Sequence, residues 1–372
     1  MEYNWEDIDI KNRIDKLKLL YNSTNNQEQK EIIKSQIDYT NKFFEHLQTN
    51  YRQPRIFEAY QDLKEYVYNE AFSWDPIYNF IDNIDGFSLV TPSSIEMSND
   101  ELITITHDFY KTLSPDIYNA YLKFYNMRYD HVKFASRSTI EGSFGYTYLF
   151  PTLKEYYEFI SRNGTICDIF TSIHESGHII WGVLNDNYVW KSNNYIEELI
   201  PIAMELISSD YLKKDFDDQP LRYTALIHGD IAQNVFKWDC FMDLLAIEQD
   251  KYGKFKNTHQ LTRASKELEL SRKELKGLLN LVDFPEMYRI IPYIYAIELY
   301  YLYKEDPEYA CSIMKKIILD NTKEPNESIA MLENLGLNAN KHSKDYHESL
   351  VLSLKKSNEN KQKQLIKTKS QQ

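Results

Sequence analysis

Residues Asn163 to Leu184 read NGTICDIFTSIHESGHIIWGVL, an apolar run interrupted by His174 and His178. Thr165-x-x-Asp168 at its head has the form of a capping box, which predicts a helix from about Ile166 to Leu184. Both imidazoles then fall on one face, a turn apart. Ile169, Phe170, Ile173, Ile179, Ile180, Trp181, Val183 and Leu184 leave this helix apolar on most sides, so it belongs in the interior. Two buried rings need partners, because a buried polar group left unsatisfied costs about 1–3 kcal/mol. Either neighbouring core groups satisfy them or a metal ion does.

Glu175 favours the metal. It completes the H-E-x-x-H signature, in which two histidines bind zinc and the glutamate acts as general base on water. Gly177 stands between the histidines, mid-helix, where glycine costs roughly 0.5–1 kcal/mol against alanine, so something should compensate, such as close approach of another backbone. A third, acidic ligand is found in Glu198, twenty residues beyond His178 at the head of EELIPIAMELISS. Its bland reading is an acid favoured at a helix amino terminus, which Pro201 marks. Glu205 follows Glu198 by seven residues, about two turns, and is placed to hydrogen-bond a ligand from the same face.

The rest of the chain reads as mainly α. Glycine and proline are sparse, ten and eleven in 372 residues, and apolar residues recur at three- and four-residue spacing. Amphipathic helices are predicted between about 7 and 72. Ser98-x-x-Glu101 is a second capping box, and Pro115 after Ser114 marks another helix start. GSFGYTYLFP, Gly142 to Pro151, alternates aromatics between glycines and is the best strand or hairpin candidate. Three regions follow: an N-terminal helical region over 1–95, a helical catalytic domain over 96–340, and a polar, lysine-rich tail over 341–372 expected to be disordered.

Composition bounds the function. A net charge of −13 with no basic cluster in the body of the chain argues against a nucleic-acid partner. Cys167, Cys240 and Cys311 are far apart and form no C-x-x-C pair, which suggests neither a disulfide framework nor a cysteine zinc site and fits a reducing compartment. The start, MEYNWEDIDI, is acidic and polar, and no run of about 18 apolar residues occurs, so a cytoplasmic location without membrane contact is expected. His107, His131 and His228 read as structural.

NGTICDIFTSIHESGH resembles the active-site region of the oligoendopeptidase F and thimet-oligopeptidase family, G-T-x-x-D-x-x-T-x-x-H-E-x-G-H. The matching residues are Gly164, Thr165, Asp168, Thr171, His174, Glu175, Gly177 and His178. The family also carries a ligand glutamate and a second glutamate seven residues on, as Glu198 and Glu205 do. The resemblance covers about Gly142 to Tyr303. It implies a multi-helical, zincin-like metallopeptidase with a small β edge beside the active-site helix, one Zn²⁺ per chain, and endopeptidase action on oligopeptides. FPEMYRIIPYIYAIELYYLY, Phe284 to Tyr303, is similar to the family's tyrosine-rich helix, which implies Tyr295 as the oxyanion-stabilising phenol and Tyr288 as a second tyrosine at the cleft. There are two departures. Residues 283–287 read DFPEM, without the family's substrate-binding histidine, and the part preceding the zinc helix is short. A catalytically impaired peptide-binding protein and a related zinc carboxypeptidase are the competing readings.

Overall fold

A computed structural model describes residues 10–49, 93–136, 145–185, 196–227, 290–320, 325–339 and 341–370, with the isolated positions 266, 271 and 273. Helices α1 (Ile10–Ser23) and α2 (Gln27–Thr49) form a hairpin. Then come α3 (Asn99–Tyr110) and α4 (Pro115–Tyr125), a single turn at Arg128–His131, and the strands β1 (Val132–Ser136), β2 (Gly145–Phe150) and β3 (Glu155–Arg162). After the sheet follow α5 (Cys167–Leu184), α6 (Leu199–Phe216), α7 (Ile290–Glu305), α8 (Pro307–Leu319), α9 (Pro325–Asn334) and α10 (Ser343–Ser370). Among the described residues no helix is long and apolar enough to cross a membrane.

The small sheet sorts its side chains between two layers. Its order is β1-β3-β2, with β3 parallel to β1 and antiparallel to β2. Tyr148, Phe150, Tyr157 and Phe159 turn to the α1–α2 hairpin and cluster with Ile14, Leu17 and Ile33. Arg13 clamps that layer, donating to Glu155 at 2.8 Å and to the Tyr157 hydroxyl at 2.6 Å. Gly145, Thr147, Leu149 and Tyr156 turn the other way, onto α5. Because β3 is covered on both faces, Tyr156 through Ser161 are all buried. EYYEFISR therefore lacks the alternation that betrays a half-exposed strand, and β3 is not legible as one.

α5 is buried from Cys167 to Val183, as its apolar pattern predicts. Its start differs from the expected capping box. Ile166 occupies the cap position, and the Asp168 carboxylate reaches back to accept the amides of Asn163 and Gly164 at 2.7 and 3.0 Å and the Arg162 guanidinium at 2.9 Å. Thr165 Oγ1 accepts instead from the Cys167 amide at 3.2 Å. α6 then crosses α5 at Gly177. A Cβ on Gly177 would lie 2.9 Å from Pro201 Cα, so the glycine is the contact that allows the two backbones to meet. At α3, the Ser98 and Glu101 capping box forms in both directions.

The carboxyl end departs from the expected solvated tail, since Ser343–Ser370 is helical. Tyr346, Leu350 and Leu354 recur at helical spacing and pack with Leu221 and Ala225. Asp218 accepts hydrogen bonds from Ser357, Lys361 and Arg222. Burial alone would raise its pKa, but these donors outweigh it and hold the carboxyl down at about 2. Glu298 of α7 completes the docking by accepting from the amide and the ring Nδ1 of His342, at 2.7 and 2.6 Å.

Candidate metal centre

The crossing at Gly177 sets α5 and α6 close enough to share one site. His174 and His178 project from α5, and Glu198 stands at the residue before α6 without capping it by a side-chain hydrogen bond. One ligand atom from each lies within 4.8 Å of the other two. Among the described residues no other trio of histidine, cysteine, aspartate or glutamate side chains gathers this way. The Glu198 carboxylate stands between the rings, 3.2 Å from His174 Nε2 and 3.5 Å from His178 Nε2. Both rings are buried, whereas the Glu198 side chain is 21% exposed.

The other nitrogen of His174 is also engaged. Its Nδ1 lies 2.5 Å from Glu205 Oε1, and the Tyr223 hydroxyl donates to Glu205 Oε2 at 3.0 Å. That carboxylate orients the ring and keeps the Nδ1 proton, leaving Nε2 to face Glu198. Burial pulls the His174 pKa down, but the charges of Glu205 and Glu198 outweigh it and raise it to about 10. The cavity is thus built for a positive charge. A proton on His174 and a metal cation among the three donors are alternative ways to supply it.

Glu175 lies on the side of α5 that meets the sheet. Its Oε2 accepts the Thr147 hydroxyl at 2.6 Å, and the same hydroxyl reaches the Glu175 carbonyl at 3.0 Å. A side chain at Gly145 would collide with it, since a Cβ there lies 2.7 Å from Glu175 Cγ and Oε1. The Tyr110 hydroxyl donates to the Ile173 carbonyl at 2.6 Å, one residue before His174. Sequence reasoning singled out neither Thr147, Tyr223 nor Tyr110. Thr147 shares β2 with Gly145 at a two-residue step, which puts them on one face, but nothing local says that this face meets α5. Tyr223 and Tyr110 are two of thirty tyrosines. Asp168, one of the residues that match the family pattern, serves the turn that launches α5 through Arg162, Asn163 and Gly164.

No family model matches the sequence, and no curated protein matches it either. Solved structures match it by fold. A protein provisionally described as oligoendopeptidase F from Bacillus anthracis str. Ames aligns with a TM-score of 0.50 at 13% identity, over 89% of this chain and 63% of that one. PZ peptidase A with an inhibitor aligns at 0.52 and 13% identity, over 93% and 66%. A protein described as a peptidase from Chlamydophila abortus aligns at 0.55 and 12% identity, over 92% and 60%.

The fold is that of oligoendopeptidase F.

The chain spans between 60% and 66% of the length of these matched structures. Its mainly α build with a three-stranded sheet beside α5 agrees with the expected fold class. Of the two tyrosines expected to serve that fold's cleft, Tyr288 lies outside the described residues, as do residues 283–287. Tyr295 is on α7 and fully buried. Burial, then the carboxylates of Glu333 and Glu298, raise the pKa of its phenol. Neither of those acids belongs to the cluster of His174, His178 and Glu198.

Proposed function

We propose that the chain is a zinc-dependent endopeptidase that hydrolyses oligopeptides. The observation that carries this reading is the convergence of His174 Nε2, His178 Nε2 and a Glu198 oxygen, with Glu175 one residue from the first ligand. Two imidazoles and one carboxylate are a donor set suited to zinc with an open position. The Glu205 contact on His174 Nδ1 is the outer hydrogen bond that metal-binding histidines use. A zinc ion held there supplies Lewis acidity to the scissile carbonyl and acidifies water.

Glu175 is then the general base. Thr147 holds one of its oxygens, so the carboxylate takes a proton from the attacking water and delivers it to the leaving amine from a fixed position. The resemblance assigns the developing oxyanion to the Tyr295 phenol, with Tyr288 as a second tyrosine at the cleft. Tyr295, sealed in the core, takes part only if a bound peptide uncovers its ring. The fold of the matched peptidases supports the substrate class by analogy.

The absence of a histidine at 283–287 favours a second reading, a peptide-binding protein with impaired catalysis. Metal analysis of the purified chain and product masses from defined peptides separate the possibilities. Equimolar zinc with internal cleavage is expected. Single residues removed from carboxyl ends identify a carboxypeptidase, and zinc without cleavage identifies the binding protein.

A further inference from the structure

The interface between α5 and the sheet holds a second carboxyl to which the peptidase reading gives no task. Glu158 lies at the centre of the sheet, paired with Thr147 on β2 and Val132 on β1, and is only 2% exposed. On α5, Glu175, Ser172 and Ser176 face its carboxyl. The remaining titratable neighbours are Tyr110 of α3 and Tyr121 of α4, and among the described residues no cation is paired with Glu158. Its Oε1 and the Ser176 Oγ are both sealed from solvent, and Ser172 and Ser176 are the hydroxyl side chains of α5 that reach the carboxyl.

Two carboxylates facing each other in a dry interface, with no cation paired to Glu158 among the described residues, are strongly disfavoured. Burial first, and Glu175 second, push the Glu158 pKa well up, against a weaker pull from the two serines. We propose that Glu158 is a positioning residue for Glu175: an uncharged carboxylic acid whose proton serves the polar seam between α5 and the sheet. The O–H of Glu158 supplies a donor for the sealed Ser176 Oγ. Its cross-strand neighbour Thr147 is left to hold Glu175 Oε2. This role rests on the reading of Glu175 as general base.

The test combines spectroscopy with kinetics. The infrared difference spectrum of wild type against Glu158→Gln at neutral pH is expected to show the carbonyl band of a protonated carboxylic acid in the wild type. A difference showing carboxylate bands alone overturns the proposal. Glu158→Gln keeps an uncharged donor of the same shape, and its kcat is expected to stay within about threefold of wild type. Glu158→Leu removes donor and acceptor together. It is expected to lower kcat at least roughly tenfold with KM and zinc content unchanged. Equal losses in the Gln and Leu variants show that an ionised carboxylate is needed, and no loss in either shows that Glu175 is held without Glu158; both overturn it. A wild type that cuts no peptide sinks the peptidase reading and the positioning role with it. The infrared band, read on the same sample, still decides the proton on Glu158.

Discussion

At the scale of residues, the site is built from pairs in which one group fixes another. Glu205 fixes His174, Tyr223 fixes Glu205, and Thr147 fixes Glu175. If the cluster binds zinc, the charge of Glu205 matters as well as its hydrogen bond, because it raises the basicity of the ligand ring. Glu205→Gln is therefore expected to weaken zinc binding by roughly 10–100-fold, read by competition against a metal indicator. Unchanged affinity would reduce Glu205 to a packing residue. His174, Glu175, His178 and the seven-residue step from Glu198 to Glu205 are legible in the sequence because helical period alone ties them together. Thr147, Tyr223 and Glu158 are not, since their role depends on which faces of separate elements meet.

At the scale of elements, helices were the readable part. α3, α4 and α5 begin within a few residues of where serine, proline and threonine signals put them, and β2 lies inside the glycine-flanked aromatic stretch. β3 escaped because a strand buried on both faces loses its period. α10 escaped because its charged surface hides a short apolar stripe, Tyr346, Leu350 and Leu354. That helix carries a pH dependence. Burial lowers the His347 pKa to about 4, with the ring Nδ1 donating to the Ser343 carbonyl. The folded value lies below the unfolded one, so its contribution is present above about pH 6.5 and is lost as pH falls through about 4. The loss amounts to about 3 kcal/mol. Melting temperature followed between about pH 7 and pH 4 should fall, and His347→Phe should flatten that dependence. An unchanged slope in the variant would assign the acid sensitivity elsewhere.

At the scale of the whole molecule, the core runs from Leu102 of α3 to Leu337 after α9, with α5 enclosed between the sheet and the later helices. A metal at the α5–α6 crossing would bridge two elements of that core, so its removal should register in global stability. With free zinc at about a thousand times the dissociation constant, binding adds about 4 kcal/mol, worth about 5 °C in melting temperature for a chain of this size. A chelator should lower the melting temperature by about that much and added zinc should restore it. A melt indifferent to both would argue against a bound ion. The most direct test of the central claim is mass spectrometry of a mixed peptide pool after incubation with the zinc-loaded wild type, beside Glu175→Gln. Internal cleavage by the wild type, with turnover abolished in a variant that keeps its zinc, is the predicted result. Cleavage undiminished by Glu175→Gln would contradict it.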